Sequence, residues 1–173
     1  MRGLIVGAVC VSLLVPALVS AGSEDDYAVR EKAVVRPETL PDKASIYVVR
    51  PAKMGMAIRM WAFADDTVLG LTKGDTYAHA YIEPGEYTFW SRAENVSAVN
   101  QVVEAGRTYY LKQKVKMGGF KARVAVEFLS ETEGLEVLEK CKSYSTLTEA
   151  GKARAVEIAA EKSEVAEEKA AEE

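Results

Sequence analysis

Side chains able to do chemistry are few in this chain. His79 is the only histidine, and cysteine occurs twice, as Cys10 and Cys141. A general base needs a nucleophile or an orienting carboxylate within hydrogen-bond reach, and a metal ion needs several ligands at recurrent spacings. No His/Cys/Asp cluster offers either kind of company to His79. Between Ala78 and Ala80, with Tyr77 and Tyr81 on the same side of an alternating run, it reads as a sheet residue. Asp65-Asp66 and Asp75 lack the spaced oxygen ligands of a calcium loop and read as turn formers. Gly118-Gly119 has neither the lysine nor the following helix of a phosphate loop and reads as a sharp turn. Asn95-Val96-Ser97 matches a glycosylation acceptor by chance. The expectation is no enzyme, no cofactor, and no catalytic, cofactor-binding or metal-binding residues.

The two cysteines lie in different contexts. Cys10 sits inside the apolar run Gly3 to Val19, behind the single positive charge of Arg2 and ahead of Val19-Ser20-Ala21. One charge, an apolar core and small residues before a polar start are the parts of a secretory signal, so residues 1–21 read as a signal peptide cleaved after Ala21. The alternative is an uncleaved N-terminal anchor, for which no basic stop-transfer cluster follows. Gly7-Ala8-Val9 before Cys10 does not make a lipid-attachment box. Cys141 is then the one thiol of the mature chain, so an internal disulfide is impossible and the core must hold the fold. It is either a buried, inert residue or a thiol that pairs between chains.

The charge pattern excludes some partners. From Glu149 to Glu173 eight glutamates face four cations, a net charge of −4 that accounts for the whole-chain value of −4. The part ahead of it is therefore near neutral, which points to neither nucleic acid nor an anionic membrane surface.

The elements that must position any site are short strands. Residues 22–43 are polar and punctuated by Pro37 and Pro41, and read as a leader or linker. From Ala44, β-favouring runs alternate with turn signals. The predicted strands are 45–50, 57–64, 67–71, 76–82, 86–91, 98–103, 108–116 and 122–129. In the second, Ile58, Met60, Ala62 and Ala64 share one face while Arg59, Trp61 and Phe63 share the other. In the fifth, Tyr87, Phe89 and Ser91 oppose Glu86, Thr88 and Trp90. Residues 131–140 read as a short helix, with Leu135 and Leu138 at helical spacing, able to cover an open end or edge of the sheets. A second helical stretch begins at Thr146, where Thr146 and Glu149 have capping-box spacing. Without a clear apolar stripe, and with like charges one turn apart at Glu157/Glu161 and Glu164/Glu168, residues 143–173 read as a solvated tail, helical or disordered. The fold class expected is all-β: a small antiparallel sandwich, immunoglobulin-like or transthyretin-like, spanning residues 44–142.

One resemblance emerges from the order of the turns. Ile46-Tyr47-Val48-Val49-Arg50-Pro51, Gly74-Asp75-Thr76-Tyr77, Ile82-Glu83-Pro84-Gly85-Glu86-Tyr87, Glu104-Ala105-Gly106-Arg107-Thr108-Tyr109-Tyr110 and Lys116-Met117-Gly118 follow one another. Together they resemble domain-of-unknown-function family 2846 of exported bacterial proteins, from about Ala44 to Lys142. The resemblance implies a compact β-sandwich in the cell envelope and brings no catalytic residues with it.

The function expected is that of an exported, periplasmic or secreted, non-catalytic binding or protein-interaction module. Its partner would be an unnamed envelope protein or ligand, with no nucleic acid involved and no transmembrane segment left after cleavage. The alternative is a structural spacer of an envelope assembly acting through the tail. If successive strands alternate in direction, the segments 52–56, 72–75, 92–97 and 117–120 gather at one end. That end carries Met54, Met56, Met117 and Phe120, either as a recognition surface or folded back as a plug.

Overall fold

The computed structural model describes residues 24–32, 36–51, 55–117 and 122–171. The signal sequence, Cys10, Met54, Gly118-Gly119 and Phe120 lie outside the described residues. A 3-10 turn, Glu24–Tyr27, leads into β1 (Ala28–Glu31). There follow β2 (Ala44–Arg50), β3 (Met60–Ala64), β4 (Thr67–Thr72), β5 (Thr76–Ile82) and β6 (Gly85–Arg92). Next come β7 (Val96–Val103), β8 (Thr108–Met117), β9 (Ala122–Leu129), α1 (Glu131–Lys140), β10 (Ser143–Leu147) and α2 (Glu149–Ala171). The eight expected strands and the first helix all form.

They build a sandwich of a six-stranded sheet, ordered β1-β10-β5-β2-β8-β9, and a four-stranded sheet, ordered β4-β3-β6-β7. Most neighbours are antiparallel, but β2 runs parallel to β8 and β10 parallel to β5. Alternation decides which side chains meet between the sheets. Ile46, Val48, Ala78 and Leu111 from the larger sheet pack against Ala62, Ala64, Leu69 and Phe89 from the smaller. Every residue of β2 is buried, because α1 covers that sheet from outside. A strand covered on both faces needs a continuous apolar run, which Ile46 to Val49 provides.

The sandwich is closed differently at its two edges. On one side β4 comes close to β5 at Gly70, where an added Cβ would meet the Ala78 Cβ at 2.5 Å. On the other, side chains of the β6–β7 connection and β7 satisfy the backbone of β9. Val124 N–H donates to Asn95 Oδ1 at 2.6 Å, Asn95 Nδ2 donates back to the Val124 carbonyl at 3.2 Å, and Val126 N–H donates to Ser97 Oγ at 3.3 Å. Such bonds blunt an edge that would otherwise offer unpaired groups to another strand.

Between the sheets, toward the ends of β2, β6 and β8, the core turns polar. Gln113 Oε1 accepts from the Thr72 hydroxyl, and Gln113 Nε2 donates to Ser91 Oγ at 2.6 Å. Ser91 Oγ in turn donates to the Trp61 carbonyl at 2.6 Å. Arg50, fully buried, donates to the carbonyls of Ile58 and of Gly55, the latter at 2.6 Å, and so pins the β2–β3 connection. Burial without a carboxylate partner pulls its pKa down to about 10.

Two helices complete the layers, and both depart from expectation. A capping box at Ser130 and Glu133 starts α1, which buries Gly134, Val137 and Leu138 over Tyr47, Tyr77 and Tyr110. It covers a sheet face rather than an end or edge, and Leu135 is exposed. The segments read as a polar leader and a solvated tail are structured where described. β10 inserts between β1 and β5, with Thr146 paired to Val29. Because Thr146 is a strand residue, the cap of α2 falls to Thr148, whose Oγ1 accepts the Gly151 N–H at 3.0 Å. Thr148 also ties down the N-terminal segment, its N–H donating to the Tyr27 carbonyl at 3.0 Å. Beyond the cap, Ala155, Ile158 and Ala159 bury against Phe63 and Trp90 on the outer face of the smaller sheet. Their side chains are small, so the stripe is weak in hydropathy yet wide enough to dock.

Candidate functional site

Strand directions place the expected connections together. Arg50 pairs with Thr76, Met60 with Thr72 and Trp61 with Arg92, while β8 runs parallel to β2. The ends of β2, β6 and β8 and the starts of β3, β5 and β9 therefore share one end, and the Asp65-Asp66, Pro84-Gly85 and Gly106 turns share the other. Of the four residues expected to line that end, Met56 is half exposed. Met117 closes β8, its side chain outside the described residues, as Met54 and Phe120 are altogether.

At the shoulder of this end, between α2 and the outer face of the smaller sheet, lies a cleft of about 400 Å³. Period-two alternation brings Arg59 and Trp61 of the β3 region and Arg92 of β6 to that face, and helical spacing brings Arg154 and Ile158 down onto it. Tyr27 closes the side, its ring 6.1 Å from that of Trp61. Ala57, Ile58, Ala93 and Glu94 complete the lining. A second cavity, of about 480 Å³, adjoins it at Arg92 beside α2, where Trp90, Asn95, Val96, Glu161 and Lys162 line it. Lys162 Nζ sits 4.4 Å above the Trp90 ring, a cation–π contact.

One carboxylate organises the charges here. Glu161 accepts from Arg92 Nη1 at 2.7 Å and from Arg154 Nη1 at 3.1 Å, and Arg154 Nη1 also meets Glu157 at 2.7 Å. The bond from Arg92 holds the Glu161 carboxyl below the usual carboxylate range, and the bond to Glu157 raises Arg154. These groups are partly exposed, so water screens the pairs and they add little to stability. What they supply is preset geometry: guanidinium forks next to indole and aliphatic walls suit a carboxylate carried on an apolar body. No Ser, Cys or His is among the described lining residues.

The residues singled out in the sequence lie elsewhere. His79 Nε2 is 2.7 Å from Ser45 Oγ, which gives the imidazole the hydroxyl neighbour that the sequence did not bring to it. Ser45 is only 2% exposed, and the ring lies 4.6 Å from both Tyr47 and Tyr81, packed as a sheet residue. Burial lowers its pKa to about 4, so it is neutral at pH 7. Cys141 is buried under α1, with its thiol pushed up to about 11, the signature of an inert side chain. Asp65 and Asp75 adopt positive φ angles of 48° and 60°, as turn formers do. Among the described residues no group of three or more His, Cys, Asp or Glu could hold a metal ion, and no helix is long and apolar enough to cross a membrane.

Arg59, Trp61, Arg92 and Arg154 were not picked out as a site from the sequence. A signal was present nonetheless: Trp61, Phe63 and Trp90 all fall on the face opposite the core, which demands a covering element. Comparison with known proteins adds family but no activity. A family model described as "Protein of unknown function (DUF2846)" matches residues 41–127. An uncharacterized protein of Haemophilus influenzae is 27% identical over 116 residues, covering 65% of this chain and 69% of that protein. No solved structure matches.

Proposed function

Because the chain belongs to the DUF2846 family, described only as proteins of unknown function, we propose that it is an exported, non-catalytic binding module of the cell envelope. The observation that carries this reading is the cleft beside α2, where Arg59, Arg92 and Arg154 meet Trp61 and Tyr27. The signal-like residues 1–21 support the address, periplasmic or secreted, with the mature chain starting at Gly22. Met54, Met56, Met117 and Phe120, expected from the sequence to share one end, would extend the contact surface of a larger partner. A spacer acting through the tail is less favoured, because the first turns of α2 are occupied by docking on the sheet.

Two measurements test the proposal. Intact mass of the protein recovered from the periplasm should match a chain beginning at Gly22, without lipid; a mass that retains the leader contradicts the address. Immobilised mature protein should capture a partner from envelope extract, and the capture should fail for Trp61→Ala and for the joint replacement of Met54, Met56 and Phe120 by Ser. Variants that fold normally and keep every partner would refute the binding surface.

A further inference from the structure

The arrangement around Glu161 suggests what the cleft takes, and the inference rests on the binding reading above. We infer that the cleft beside α2 is a receptor for an amphipathic organic carboxylate, and that Glu161 occupies its anion position as an internal competitor. Glu161 lines the adjoining cavity, and its side chain is 43% exposed while bridging Arg92 and Arg154 of the cleft, themselves 34% and 35% exposed. A partly solvated carboxylate on two partly solvated guanidiniums is held weakly and can be replaced by another of the same chemistry. Its two bonds and that of Glu157 all run to Nη1 atoms, whereas a guanidinium presents five N–H donors in a fork. Beside the arginines the lining offers apolar walls for a ligand body, Trp61, Ile58 and Ile158, together with one carboxylate, Glu94. A volume of about 400 Å³ lies at the small end of the range typical of small-molecule sites, roughly 300–1,000 Å³. Charge and shape together favour a compact ligand with one anionic head and one flat or branched apolar part.

The probe is 3-phenylpropionate, with 3-phenylpropanol as its neutral counterpart and inorganic phosphate as an anion lacking the apolar part. Binding is read on the mature protein by tryptophan fluorescence, since Trp61 lines the cleft, and by saturation-transfer NMR. The acid should bind with a roughly millimolar dissociation constant, as befits a fragment. The alcohol and phosphate should each bind at least about fivefold more weakly, and Arg92→Met or Arg154→Met should cost about tenfold, the scale of one charge-assisted bond. Glu161→Gln should tighten binding several-fold, a gain that a misfolded variant cannot produce. The inference is overturned if the alcohol or phosphate binds as well as the acid, or if Glu161→Gln leaves the affinity unchanged or weaker. Should that happen while Trp61→Ala still abolishes capture of an envelope partner, the ligand class falls and the binding module stands.

Discussion

Replacing Ile158 by Ala asks whether α2 is part of the folded body. Ile158 is 3% exposed against Phe63 and Trp90, while Val156, two residues earlier on the same helix, is 71% exposed. Ile→Ala removes three carbons, worth about 0.8 kcal/mol each in transfer free energy. A cavity term raises such costs to about 2–5 kcal/mol in closed cores. The site here is a helix on a sheet face, free to close up, so a loss of about 2–3 kcal/mol is expected. At about 2–4 °C per kcal/mol for a chain of this size, the melting temperature should fall by roughly 5–10 °C. Val156→Ala should stay within about 0.5 kcal/mol, as surface substitutions do. The assay is urea denaturation followed by tryptophan fluorescence and by far-UV circular dichroism. If α2 lifts before the sandwich opens, the fluorescence of Trp61 and Trp90 will change ahead of the strand signal, and the loss will be capped at the docking free energy of the helix. Equal effects of the two substitutions would refute the docking and restore a solvated tail.

Three more outcomes follow from described contacts. Gly134→Ala should destabilise by about 1–3 kcal/mol in chemical denaturation, although alanine is the better helix former by about 1 kcal/mol, because its Cβ would lie 2.2 Å from the Tyr110 ring. His79 is pushed down to about 4 from its ordinary 6.5, so between those values the unfolded chain binds more protons than the folded one. Its contribution to stability is complete above pH 6.5 and lost as pH falls toward 4; thermal melts from pH 7 to 5 should drop, and drop less in His79→Gln. Cys141, buried and with its thiol pushed up to about 11, should resist iodoacetamide at pH 8 in the native state and react once urea unfolds the chain.

Strands were legible because alternation is local. Ile58, Met60, Ala62 and Ala64 against Arg59, Trp61 and Phe63 assign both faces of β3 without knowledge of any neighbour. Which strands pair is non-local, so the parallel β2–β8 and β5–β10 pairs, and the split into six and four, left no mark. The helix faces were hidden for another reason: glycine fills stripe positions in both. In α1 the buried face is Gly134, Val137, Leu138 and, just past the helix, Cys141; in α2 it is Gly151, Ala155, Ile158 and Ala159. Hydropathy scores such positions low, yet small residues let a helix sit close on aromatic rings. The cleft depends on that second docking, so it could not be read until the helix was known to cross Trp61 and Trp90.

The insertion of β10 between β1 and β5 sets an order of events. Residues 143–147 are the bridge by which the N-terminal strand joins the sheet, and they leave the ribosome after every other described strand. Until they arrive, β5 has a bare edge and β1 has no neighbour to pair with among the described strands. The register Ala28 to Leu147 joins residues 119 apart, a slow, entropically costly closure. Closure of the sheet thus waits for the last of the described strands, and β1 stays unpaired until β10 has been made.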